Sequence, residues 1–590
     1  MKLFLFAIML LLATLFMKPV LAQRVMFQDF YWDTEPPAGQ SWWTHIESQL
    51  PALAKAGMGS VWVPAPYKGG AGKYDMGYGP YDLYDLGSKD QKGTVATRFG
   101  TKDEFLRFVG RAHSLGIKVY ADVVLNHAMG ADYAEPNPVM ARLGWDDIPD
   151  DSKVAQQNRS PDAKPGDNLR SWTGFAPKGA DGQLGTGRFP RTWRDFHPNE
   201  AEPDRNGPYH QKEFGEDYAF RGDNDYVRKQ MIAWSHWFVA QTGVDGYLLD
   251  DVKGMEPDFV ADFAEQGPTG LWMVGEFLDG DPAKVMGYLG DARKAIHLFD
   301  YPLYFALHDM TFKPETFDMR DLLTRRMPDR EHAVTFAGNH DMSRADSVLV
   351  YHVDLAYALV LAMSGTPGVY YSDFWRAGEA QRTEITRLVQ AHNALAIGPE
   401  IIRQADKNTL ALERQGHLLA VFNSGSDGEA HTLTVATSFG PHVRLTDYAG
   451  SGKPIVTDAQ GQATVSVPPY GYAYYAPASI VLNRPFPPLP TTQTWEFADD
   501  LDTGEVSPTP KTITVHLQPG DSYSATLSLD GGPGMLEVIS HDGSLTATET
   551  GALGSSTDRQ GGAYQFRVSS QTKAHGFLTV HYGKGIVNAR

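Results

Sequence analysis

The chain has 590 residues, 42% of them apolar and 21% charged, with a net charge of −19 and no cysteine. This length exceeds a single core and predicts several domains. The acidity excludes nucleic acid as a partner, because a phosphate-binding surface needs a basic patch. The missing cysteines exclude disulfides, thiolate nucleophiles and cysteine-ligated metals, which leaves large cores and a hard cation to provide stability.

At the N-terminus a lysine precedes an apolar run from Leu3 to Met17 and the small-residue ending "VLA". That layout predicts a signal peptide over 1–22, cleaved after Ala22. The alternative, a membrane anchor, fits less well because the run is shorter than the ~20 residues of a span. No later segment is apolar enough to cross a bilayer. A secreted or periplasmic protein without membrane contact after cleavage is expected.

Between residue 25 and about 396, short β-type runs alternate with helical patterns. The runs are "VMFQDFYW" (25–32), "SVWVPAPY" (60–67), "KVYADVVLNH" (118–127), "VDGYLLDD" (244–251), "WMVGEF" (272–277), "AIHLFDYP" (295–302), "AVTFAGNHD" (333–341) and "GVYYSDF" (368–374). Most are apolar on both parities, as a parallel sheet covered on both faces requires. Eight such βα units predict an α/β fold, a (β/α)8 barrel over 23–127 and 223–396. Residues 128–222, rich in Pro, Gly, Asn and Asp, interrupt the third unit as a small excursion domain. Alternating stretches over 397–480 predict a β-sandwich. A proline-rich linker, "NRPFPPLPTTQ" (483–493), then opens a further β-rich domain within 481–590.

Functional groups of such a barrel collect at the C-terminal strand ends. Polar residues stand there: Asp122, Asn126 and His127 after strand three, Asp250, Asp251 and Lys253 after four, Glu276 after five, His340 and Asp341 after seven. Each alone reads best as a cap or a satisfied core group; four strands ending this way do not. Carboxylates on strands four, five and seven suit retaining glycoside hydrolysis, in which one attacks the anomeric carbon and another shuttles the proton. Aromatics before strand three, including "GKYDMGYGPYDLYDLG", are candidates for stacking on sugars, with core packing as the ordinary explanation for many.

The ordered segments "DVVLNH" (122–127), "GYLLDDVK" (246–253), "VGEF" (274–277) and "FAGNHD" (336–341) resemble the α-amylase superfamily. The stretch around "GYGPYDLYDLG" is similar to secreted bacterial α-amylases, while "DFHPNE" (195–200) and Lys253-Gly254 look more like archaeal and plant members. The resemblance implies Asp250 as nucleophile, Glu276 as general acid/base and Asp341 as the substrate-orienting carboxylate. It also implies sugar contacts from Tyr78, His127, Lys253 and His340. A structural Ca²⁺ would be held by Asn126, Asp217 (with Glu216 competing) and the Gly254 carbonyl. The expected partner is an α-1,4-glucan such as starch, glycogen or a maltooligosaccharide, cleaved internally by a monomer. A glucan transglycosylase and a catalytically impaired glucan-binding barrel are the alternatives.

One position departs from the family pattern. Strand four there reads Gly-aromatic-Arg-x-Asp, and here the arginine is Leu248. Residues 248 and 250 share parity, so the arginine would lie beside the nucleophile and keep it ionised. Its absence predicts an acid limb of the pH–rate profile at unusually high pH, unless Lys253 or a barrel arginine compensates.

Overall fold

A computed structural model describes residues 23–139, 170–177, 185–202, 216–220, 225–344, 348–450, 452–497, 511–530, 534–549, 551–554, 560–570 and 575–584. The leader read in 1–22 and much of the excursion between 128 and 222 lie outside them. Eight strands form a closed parallel barrel: β1 (Met26–Gln28), β2 (Ser60–Val63), β3 (Lys118–Val124), β4 (Gly246–Asp250), β5 (Trp272–Gly275), β6 (His297–Phe299), β7 (Ala333–Phe336) and β8 (Thr366–Tyr370). Each pairs with its sequence neighbour, and β8 closes on β1. Seven strands lie within their predicted runs, and β8 begins at Thr366, two residues ahead of the eighth run. In β4, Tyr247, Leu248 and Leu249 are all fully buried, since one face meets helices and the other the barrel interior.

Local signals set the helices that wrap the barrel. Helix α1 (Trp42–Ala56) starts where the Ser41 hydroxyl accepts the Thr44 N–H at 3.2 Å. It stops at Gly57, whose φ of 95° only glycine adopts cheaply. Helix α2 (Lys102–Ser114) opens with a reciprocal Thr101–Glu104 capping box. Helix α3 (Asp225–Thr242) follows the excursion; α4 (Pro257–Gln266), α5 (Pro282–Asp291) and α6 (Tyr301–Phe312) each carry a proline in the first turn. Helix α7 (Val353–Ala362) is apolar all round because it is covered on both sides, with Tyr474 donating to the Ala358 carbonyl from the following sheet. Helix α8 (Glu379–Leu395) completes the ring.

Beyond the barrel, a six-stranded antiparallel sheet and a two-stranded one, spanning Glu400–Pro477, enclose a core of Ala411, Leu419, Leu433, Val465 and Tyr475. Two four-stranded antiparallel sheets follow between Thr491 and Gly583. Their core takes in Leu106 of α2, so this unit is docked on the barrel rather than tethered to it. Gln493 donates to the carbonyls of Leu106 and Thr242, and His113 meets Thr491 at 2.8 Å. Trp495 is 7% exposed within that core, which makes it a packing residue and not a sugar platform.

Gly110 in the middle of α2 belongs to this contact. A Cβ added there would lie 2.5 Å from the hydroxyl of buried Tyr582. In an ordinary helix Gly→Ala gains about 0.5–1 kcal/mol. Here Gly110→Ala is expected to cost about 1–3 kcal/mol by overpacking, with the loss reversed when Tyr582→Phe removes the hydroxyl. Thermal unfolding of the single and double variants measures this.

Candidate active site

The barrel's C-terminal mouth gathers the polar strand ends into one place. Asp250 ends β4, and Asp251 turns the chain there with a left-handed φ of 42°. That reversal separates the two neighbours: Asp250 is partly exposed at the mouth, while Asp251 accepts from Asn126 Nδ2 at 3.5 Å. Glu276 follows β5, and its N–H donates to the Leu249 carbonyl at 3.0 Å, which seats its side chain beside Asp250. Beyond β7, a ring nitrogen of His340 and carboxylate oxygens of Glu276 and Asp341 lie within 4.8 Å of one another. Glu276 is 5% exposed and hydrogen-bonds Asp250.

The electrostatics of this cluster are one-sided. Burial, and next the Asp122 carboxylate, push the Asp250 carboxyl well above its ordinary range. Burial, then Asp341 and Asp250, do the same to Glu276. Asp122 is raised to about 7, first by burial. Burial lowers His127 to about 4 and also lowers His340, so both rings are neutral near pH 7. Among the described residues, no lysine or arginine forms an ion pair with Asp122, Asp250 or Glu276. Leu248 is fully buried and stands opposite Asp122 in the β4–β3 register.

A single chain of hydrogen bonds backs the site. Gln28 Nε2 donates to His340 Nδ1 at 2.9 Å, which leaves the His340 proton on Nε2. That nitrogen lies 2.7 Å from the Tyr78 hydroxyl, which donates to Asp122 Oδ2 at 2.9 Å. Trp62 Nε1 gives the same oxygen a second bond at 3.1 Å. Above them, Trp32 stacks on Tyr78 at 5.5 Å and on His340 at 5.9 Å, with the Arg344 guanidinium 3.8 Å from the Trp32 ring centre. Gln28 and Trp62 do not emerge from the motifs, whereas Trp32 belongs to the aromatic-rich stretch before strand three. A polar residue in the apolar run "VMFQDF" was the available signal for Gln28.

His127, in "DVVLNH", lies deep in the mouth, with Nε2 2.9 Å from the Tyr78 carbonyl. Lys253 turns away: its Nζ donates to the Leu278 carbonyl at 3.0 Å and pairs with Asp279 at 3.3 Å. It therefore supplies no counter-charge to Asp250. The predicted calcium residues do come together. A Cβ on Gly254 would fall 2.6 Å from Asn126 Oδ1, and Asp217 lies across from His127 in a short antiparallel pairing. Asp217 is buried, and its carbonyl accepts from His197 in "DFHPNE" at 2.9 Å.

A family model described as the alpha amylase catalytic domain matches residues 37–403. The chain belongs to the α-amylase family. As a member of that family it is a glycoside hydrolase. An α-amylase of Geobacillus stearothermophilus is 31% identical over 388 residues, which span 59% of this chain and 66% of that one. The cytoplasmic α-amylase of Escherichia coli is 27% identical over 494 residues, spanning 74% of this chain and 96% of the relative. The α-amylase of Geobacillus thermoleovorans, solved in complex with acarbose, superposes with a TM-score of 0.54 at 17% identity, covering 78% of this chain and 98% of that one. At that identity the superposition speaks for the amylase fold alone.

Proposed function

We propose that this α-amylase family member cleaves internal α-1,4-glucosidic bonds of starch, glycogen or maltooligosaccharides with retention of anomeric configuration. The observation that carries this reading is the placing of Asp250 beside a buried Glu276, with Asp341 and His340 within reach. Asp250 attacks the anomeric carbon while Glu276, held protonated by its burial, gives its proton to the leaving glycosidic oxygen. The resulting carboxylate of Glu276 then takes a proton from water, whose oxygen displaces Asp250 from the sugar. Asp341 and His340 orient the ring, and the partly exposed Tyr78 offers it a face. The acarbose complex of the Geobacillus thermoleovorans enzyme supports an oligosaccharide ligand. The leader read in residues 1–22 supports export.

Proton NMR of maltooligosaccharide cleavage tests this directly. The α-anomer is expected to appear first and the β-anomer only by later mutarotation. First appearance of the β-anomer would exclude the covalent route.

Calcium is part of the same reading. Asn126, Asp217 and the Gly254 carbonyl are oxygen donors drawn from the β3 loop, the excursion and the β4 turn, which suits a hard cation. The ion would supply a structural tie among these three segments. Chelation is expected to lower Tm by several degrees and added Ca²⁺ to restore it. Gly254→Ala, whose methyl displaces Asn126 Oδ1, is expected to lose most of that Ca²⁺-dependent shift.

A further inference from the structure

The side chain of Lys68 is fully buried, and its charge faces backbone oxygens. Nζ donates to the carbonyls of Lys89 at 3.2 Å, Thr94 at 2.6 Å and Val95 at 2.7 Å. Asp85 Oδ2, equally buried, lies 3.5 Å away as the counter-charge. An ammonium has three hydrogens, and these carbonyls take all of them. Asp85 is itself held in place. Its Oδ1 accepts the N–H groups of Gly87, Ser88 and Lys89 at 3.0, 2.8 and 3.1 Å, and its Oδ2 accepts Gln91 Nε2 at 2.9 Å. Carbonyl and carboxylate oxygens converging on one buried point are the donor set that a hard metal ion takes. Here the cation belongs to the chain.

The position of this cage gives it a role. Lys68 and Gly69 pair with Asp82 and Pro80, and this short ribbon closes the hairpin that carries Tyr78. Within the hairpin the Gly70 N–H donates to the Gly79 carbonyl at 2.7 Å. Asp75 accepts the N–H groups of Ala71, Gly77 and Gly79 at 3.2, 2.8 and 3.1 Å. A hairpin bound this tightly to itself moves as a unit, so its base decides where Tyr78 stands. Lys68 ties that base to the loop carrying Lys89, Thr94 and Val95. Across the ribbon, Asp82 accepts Gln91 Nε2 of the same loop at 2.9 Å and the Thr186 hydroxyl of the excursion at 2.9 Å. The ammonium therefore lies where hairpin, loop and excursion meet, and Tyr78 in turn joins His340 to Asp122.

We infer that Lys68 is the resident cation of an oxygen cage and a positioning residue for Tyr78, filling with an ammonium the place of a bound metal ion. This rests on the function proposed above, in which Tyr78 faces the sugar. Because the cation is covalently attached it cannot dissociate, so the Tyr78 hairpin keeps its place whatever ions the medium holds.

The test compares wild type with Lys68→Ala and Lys68→Met, with Ca²⁺ present throughout. Lys68→Ala empties the cage and opens it to an external ion. Ammonium chloride is expected to raise its Tm by several degrees over tetramethylammonium chloride at equal ionic strength. Wild type and Lys68→Met, whose side chains fill the space, should show no such difference. Equal Tm of Lys68→Ala in the two salts would overturn the cage. Refolding yield in the same salts gives the same reading where the variant is unstable. Activity tests the positioning role. Well below both Tm values, Lys68→Met is expected to lose about tenfold or more in kcat/KM on starch through displacement of Tyr78. A lysine that only stabilised the fold would leave kcat and KM unchanged there, and that result would refute the role. In a Tyr78→Ala background the further loss from Lys68→Met should shrink below about twofold, because the residue it acts through is gone. An undiminished loss would place its effect elsewhere and overturn the link to Tyr78. A parent inactive on starch would sink the proposed function instead, while the Tm comparison, which uses no substrate, still decides the cage.

Discussion

Asp250→Asn is expected to lower kcat on soluble starch by about 10⁴-fold or more while leaving KM and Tm close to wild type. The amide is nearly isosteric, so the fold and the β4 turn should survive. It cannot form the glycosyl ester, so the reaction loses its first half. Removal of a nucleophile from a cooperating set typically costs this much, and about 5.5 kcal/mol of barrier corresponds to 10⁴. Reducing-sugar release by purified variant and parent, with Ca²⁺ present, measures it. A variant retaining more than about 1% of parental kcat would mean that another carboxylate does the attack. If the parent also shows no release, the barrel is a glucan-binding relic.

The second large effect concerns pH. With no lysine or arginine among the described residues paired to Asp250 and burial pushing its carboxyl well up, the acid limb of kcat/KM should lie well above ~4. Attack needs the carboxylate, so activity should fall as pH drops through the raised value. Glu276 is raised too, and as the proton donor it should keep the alkaline limb high. The optimum is thus displaced upward at both ends. Leu248→Arg places a guanidinium between Asp122 and Asp250 and is expected to move the acid limb down by about 1–3 pH units. The larger side chain enters a fully buried position, so some loss of Tm accompanies the shift. A wild-type acid limb below pH ~5 would sink the idea, because Asp250 would then be ionised without help.

By itself the sequence determined the barrel and its carboxylates. Eight apolar runs separated by helical spacing, with Ser41, the Thr101–Glu104 box and Gly57 as boundaries, specify strands and helices through local chemistry. Side-chain parity along a strand is equally local, which is why Leu248 could be recognised as the neighbour of Asp250. The contacts that only the tertiary structure decided cross the barrel. Gln28 meets His340 from 312 residues away, and Tyr78 joins His340 to Asp122. Lys253, which sequence placed toward the substrate, is instead drawn to Asp279 and the Leu278 carbonyl. Leu106, one more apolar position on a helix in the sequence, turns out to belong to the core of the last domain. Strand stagger and barrel closure set these pairings. Both arise from the packing of all eight units at once, so no window of sequence contains them.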